Sequence, residues 1–128
     1  MASILRKYGE TTTIEFPLIV YSESDFSDVV VAFNAGDSNG VFITAAGDVI
    51  ANTVNLPSYE LGCIYRLVLT AAEMMCLRLI VLVVDQSTPK VWEDQMICIE
   101  TYGHPDAMHQ FDLNSLQQAG YVVSVSTP

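Results

Sequence analysis

The chain is poor in positive charge. It holds five Lys and Arg residues against fifteen Asp and Glu, a formal net charge of −10. The five are Arg6, Lys7, Arg66, Arg78 and Lys90, and they form no run. Nucleic-acid binders draw their affinity from clustered Lys and Arg on phosphate, so no nucleic-acid partner is expected. Anionic lipid is repelled for the same reason. Cysteine is scarce too. Cys63, Cys76 and Cys98 are an odd number without metal-ligand spacing, so neither a disulfide framework nor a zinc motif is implied. They read as small buried hydrophobes in a protein that folds in a reducing cytosol.

Long uncharged apolar runs are also missing. The most apolar stretch, LVLTAAEMMCLRLIVLVV (67–84), is interrupted by Glu73 and Arg78 and is not expected to span a membrane. The N-terminal MASILRKYGETTT carries its charge after a very short apolar piece, the wrong order for a signal peptide. Charge is low overall at 16%, while 51% of residues are hydrophobic, which excludes a disordered chain. A length of 128 residues suffices for one domain with a core.

What is present reads as strands. TTIEFPLIVY (12–21) alternates, with Ile14, Phe16, Leu18 and Val20 on one face. Pro17 cannot donate to a ladder, which predicts an edge strand or a bulge. VVVAF (29–33) reads as a strand, and VFITA (41–45) and VIANTV (49–54) as a hairpin closed at Ala46-Gly47-Asp48. NLPSYELG (55–62) reads as loop and CIYRLVL (63–69) as a strand. TAAE (70–73) is a capping box: Thr70 and Glu73 can satisfy each other's amides and open a short helical turn. LRLIVLVVD (77–85) and VWEDQMICIET (91–101) are the last strands. The fold class that follows is all-β, an antiparallel β-sandwich of about seven strands, immunoglobulin-like or jelly-roll, with one short helical turn and extended terminal arms. The expected organisation is an N-terminal arm over 1–12, the sandwich over 13–103, and a C-terminal connector and arm over 104–128.

Two strands are apolar on both faces. On 77–84 the residues Leu77, Leu79, Val81 and Val83 alternate with Arg78, Ile80, Leu82 and Val84, and on 96–99 Met96 and Cys98 alternate with Ile97 and Ile99. A sandwich buries one face of each strand, so the second needs cover. An oligomer is therefore expected, a homotrimer in this reading.

Chemistry-bearing patterns are weak. His104 and His109 lie five apart in HPDAMH, which matches no helix-face metal pair, and Pro105 disfavours a helix there. No metal and no cofactor are expected. There is no G-x-S-x-G elbow, and the cysteines sit in or beside apolar strands where a thiolate is costly. The acid pairs Glu93-Asp94 and Glu23 with Asp25 read as solvated. NAGDSNG (34–40) has two glycines but no lysine for a phosphate cradle. Trp92 at the start of a strand reads as core or subunit contact before sugar platform. No catalytic residue emerges, and the expectation is a protein without enzymatic activity.

One combination is distinctive. YRLVLTAAEM (65–74), then an apolar strand, then WEDQMICIETYGHPDAMHQFDL (92–113) resembles a group of small virion proteins and N-terminal domains from tailed bacteriophages and prophages. In that group a Y-x-L-x-L-T-A-A-E segment precedes a strand, and the domain closes on E-T-Y-G and then H and F-D-L. The resemblance covers roughly 60–113 and implies a virion structural protein on the exterior. It carries no catalytic residues. Together with the two-faced strands it points to a capsid decoration or cement protein, with itself and the major capsid protein or other virion proteins as partners. The alternatives are a neck, tail or fibre-anchoring protein, and a carbohydrate-binding module using Trp92, Tyr59 and Tyr102. A hydrolase has almost no support.

The expected contact residues lie at the end of the chain. Gly103 and Pro105 turn it out of the last strand. Tyr102, His104, Met108, His109, Phe111 and Leu113 then form an interface cluster, and Tyr121 and Val123 belong to a β-prone YVVSVS segment able to add to a sheet edge.

Overall fold

Two sheets face each other across an apolar core in a computed structural model that describes residues 3–23, 25–27 and 29–111. Among the described residues there are eight strands and no helix. These are β1 (Ser3–Lys7), β2 (Thr12–Pro17), β3 (Ser38–Ile43), β4 (Asp48–Asn52), β5 (Ser58–Leu61), β6 (Ile64–Leu69), β7 (Arg78–Val83) and β8 (Gln95–Tyr102). One sheet runs β1-β8-β7-β3-β4 and the other β2-β6-β5. All neighbours are antiparallel except β1 and β8, which are parallel. The all-β sandwich expected from the sequence is the fold found.

The strand order separates the two sandwich types. With β2 to β8 taken in turn as B, C, C′, D, E, F and G, the sheets are B-E-D and C′-C-F-G, the order of an immunoglobulin-like sandwich. The inter-sheet disulfide of antibody domains is absent: Cys63, Cys76 and Cys98 are free, and none lies on β2 or β7. Apolar packing fills the space instead. Ile14 and Phe16 of β2 and Tyr65, Leu67 and Leu69 of β6 meet Leu79, Val81 and Val83 of β7 and Ile99 of β8. Each of these points inward because alternate strand residues share a face. β2 lies at a sheet edge, as Pro17 requires.

Three segments differ from expectation. The β-branched run 29–33 is not a strand. It crosses between the sheets, and a side chain replaces the ladder: Val31 N–H donates to the Tyr65 hydroxyl at 2.8 Å, and that hydroxyl donates to Val29 O at 3.3 Å. Residues 58–61, read as loop, form edge strand β5, whose side chains are all exposed and so carry no apolar alternation. The N-terminal arm expected over 1–12 contains β1, which pairs from Ser3↔Cys98 to Lys7↔Tyr102 and sends Ile4 against the core. The capping box forms as read: Thr70 N–H donates to Glu73 Oε1 at 2.8 Å and Glu73 N–H to Thr70 Oγ1 at 3.2 Å. It closes a turn rather than a helix, because Cys76 and Leu77 leave directly for β7.

Candidate functional site

The outward face of the five-stranded sheet is an apolar surface. The register places side chains in three rows across it. One row runs Leu5, Glu100, Arg78, Ile43, Asp48; the next Ser3, Cys98, Ile80, Val41, Ile50; the third Met96, Leu82, Asn39, Asn52. The middle row is aliphatic from Ile80 to the edge, and Leu82 and Met96 extend it. Ile50 is 73% exposed and Met96 43%, while Val41, Ile80, Leu82 and Cys98 are half-buried by their neighbours alone. Two-faced strands thus leave one apolar face uncovered by the described residues. Other exposed apolar side chains, Phe26, Val29 and Val30, lie on an irregular loop bordered by Glu23 and Asp25.

The C-terminal connector adjoins this face. Gly103 takes a left-handed φ of 82° and reverses the chain. Residues 104–111 then return to the sheet instead of leaving it. His109 N–H donates to Thr101 O at 3.0 Å, and Gly103 N–H donates to His109 O at 2.9 Å. His109 Nε2 lies 2.8 Å from Glu100 Oε1. That hydrogen bond, with one from Ser3 and the nearby charge of Arg78, holds the Glu100 carboxyl below its usual range against its desolvation. Tyr102 stacks on Phe111 at 6.2 Å, and His109 packs on Phe111 at 5.7 Å. Ala107 is buried.

Thr101 anchors the return. Its hydroxyl lies 2.7 Å from Cys76 O and 2.9 Å from Leu77 O, and it accepts Met108 N–H at 3.3 Å. Thr101→Val keeps the shape and removes these bonds. The expected result is a loss of about 1–3 kcal/mol in urea unfolding, with faster hydrogen exchange at the Met108 and His109 amides.

The expected interface residues are therefore brought together in part. Tyr102, His109 and Phe111 form one cluster. His104 is elsewhere: its ring stacks on Tyr8 at 4.3 Å, and its Nδ1 accepts Asp106 N–H at 3.0 Å. Met108 is exposed beside the cluster. Leu113, Tyr121 and Val123 lie outside the described residues. The sequence reading also missed that β3 and β4 supply Val41 and Ile50. Only the sheet register places them beside Ile80.

Chemical alternatives are engaged structurally. Among the described residues no group of three or more His, Cys, Asp and Glu is placed to hold a metal ion. Glu93 accepts Ser22 N–H at 2.7 Å, and Asp94 accepts Asp85 N–H at 3.1 Å and the Lys90 ammonium at 2.6 Å. Burial pushes the Cys76 thiol up to about 11, away from thiolate chemistry. A hollow of about 300 Å³ at one end of the sandwich is lined by Tyr8, Thr44, Met75, Cys76 and Asp106. A second, of about 330 Å³, lies between Phe42, Val49, Val54 and Glu73. Glu73 is committed there, one oxygen to the capping box and the other to Val54 N–H at 3.0 Å. No helix among the described residues is long and apolar enough to cross a membrane. No family model, no curated protein and no solved structure matches the chain.

Proposed function

We propose that this chain is a bacteriophage virion structural protein, a capsid decoration protein that binds the assembled shell without chemistry. The observation that carries the reading is the apolar face centred on Val41, Ile80 and Leu82, which the described residues leave uncovered. An apolar sheet face of this kind suits a protein–protein contact. The motifs over 65–74 and 92–113, which resemble phage virion proteins, supply the class of partner. Binding restricted to the assembled shell stabilises it by mass action, by about 2.7 kcal/mol per site when free protein is at 100 times its dissociation constant.

The carbohydrate-binding alternative loses support from the placement of its aromatics. Trp92 is buried, Tyr59 lies on β5 of the other sheet, and Tyr102 is stacked under Phe111. The deciding measurement is quantitative mass spectrometry of purified virions. The expected result is a copy number equal to, or a simple fraction of, that of the major capsid protein. A few copies per particle would move the protein to the neck, tail or fibre anchor, and absence from virions would end the virion reading.

A further inference from the structure

We infer that the outward face of the five-stranded sheet pairs with the same face of a second copy about a two-fold axis. The inference concerns the free chain, in which a second copy occupies the face that the proposed function gives to the shell, so the pair must part before the chain binds there. Sedimentation tests the pairing without virions, so its failure and that of the virion reading are separable.

Charge selects the occupant. The chain carries −10, and two such molecules repel wherever their acids meet. Across the three rows of the face there are two carboxylates, Asp48 and Glu100, against one guanidinium, Arg78, and the register continues the face past Glu100 to Tyr102 and the Lys7 ammonium, which lies 3.8 Å from Glu10. Glu100 sits beside Arg78 and is hydrogen-bonded to His109, and Asp48 lies on the edge strand. A second acidic copy can approach this face with little repulsion. A basic partner would find few carboxylates there and many on the rest of the chain. The face thus suits an electrostatically neutral, apolar surface like itself.

Area agrees. Five strands at about 4.8 Å spacing and six residues at about 3.3 Å make a face of roughly 450 Å² in projection. With side-chain relief, mutual contact removes on the order of 1,000–1,300 Å² from the two copies, near the threshold of a specific stable interface. The centre, Val41, Ile80 and Leu82, is apolar, and Asn39 and Asn52 stand toward the rim. That is the usual arrangement of apolar core and polar rim. A self-complementary patch closes as a pair, because each copy offers the same surface to the other. The expected state is therefore a dimer, in place of the trimer expected from the sequence.

The cysteines report the contact. Cys98 is on the face, Cys63 precedes β6 in the other sheet, and Cys76 is buried in the core. The experiment is sedimentation equilibrium on the full chain over a wide concentration range, with maleimide labelling of each cysteine read by mass spectrometry. The expected result is a monomer–dimer equilibrium in which Cys98 reacts at least tenfold more slowly in the dimer and Cys63 is unchanged. Met96→Glu and, separately, Ile50→Glu place a carboxylate at an exposed position. Each is expected to raise the dissociation constant at least tenfold with an unchanged far-UV spectrum. Three outcomes overturn the inference. One is a monomer at all concentrations with Cys98 reactive. Another is a monomer with Cys98 protected at every concentration, which assigns the face to residues 112–128. The third is an oligomer indifferent to both substitutions.

Discussion

Replacing Asp85 with Ala lowers the unfolding free energy by about 3–4 kcal/mol at neutral pH, read in urea titration. Asp85 is buried at 4% exposure and organises the loop from β7 to β8. Its Oδ1 accepts Ser87 N–H at 2.8 Å; its Oδ2 accepts Val91 N–H at 2.6 Å and Trp92 N–H at 3.0 Å. Its backbone is held from the other side: Asp85 N–H donates to Asp94 Oδ1, and Lys90 Nζ donates to Asp85 O at 3.0 Å. Truncation removes the acceptor for three amides at once, each costing about 1–3 kcal/mol if left unsatisfied, and partial relaxation of the loop lowers the sum. Asp85→Asn retains one acceptor oxygen and is expected to cost less.

The same residue shapes the acid limb of stability. Burial alone raises the Asp85 carboxyl, but the hydrogen bonds from Ser87, Val91 and Trp92 outweigh it and lower the value from 3.8 to about 2. A carboxyl depressed by folding stabilises the native state above its unfolded value. That contribution is lost as pH falls from about 4 through 2, because the unfolded chain takes the proton first. It amounts to about 2 kcal/mol. The wild type is expected to lose this much relative to Asp85→Ala between neutral pH and pH 2. Parallel acid limbs for the two proteins would refute the assignment.

How far the sequence revealed these features depends on whether the partner is local. The capping box is local, and Thr70 with Glu73 was legible from four letters. The second oxygen of Glu73 was not, because its partner, Val54, comes from another loop. Core strands were legible where one face is buried, as in β2, β6 and β7, whose inward residues alternate. Strands β1 and β5 were not: every side chain of β5 is exposed, and of β1 only Ile4 packs against the core, so neither carries the alternation that marks β2. Residues 29–33 misled in the opposite direction: β-branched residues fit a strand, but a buried tyrosine hydroxyl took the place of a neighbouring strand. The apolar second face of β7 and β8 was legible as an excess of hydrophobic residues. Its extension onto Val41 and Ile50 needed the register. Asp85 was overlooked, although Asp-Gln-Ser carries the signal of an aspartate turning back onto an amide two residues on.

Trp92→Ala is expected to destabilise the fold by about 3–5 kcal/mol, the cost of emptying a large core site. Trp92 is 2% exposed, and its ring lies 5.2 Å from Phe33. Phe33 in turn meets Tyr65 at 5.4 Å and Phe16 at 6.4 Å, so the loss reaches two strands of the three-stranded sheet, β2 and β6. Tyr59, 42% exposed on an edge strand, offers the contrast: Tyr59→Ala should cost no more than about 1 kcal/mol. A sugar-binding platform would invert the pattern, since stacking aromatics stand in solvent and their removal affects binding before stability. A Trp92→Ala protein as stable as wild type would therefore remove the structural role and restore the carbohydrate reading. The tryptophan is also tied to the aspartate, because its amide is one of the three that Asp85 holds. Removing both should cost less than the two single losses together: once the loop has relaxed around a missing Asp85, part of the ring's packing has already gone. Additive losses would show that the ring holds the core independently of the loop that delivers it.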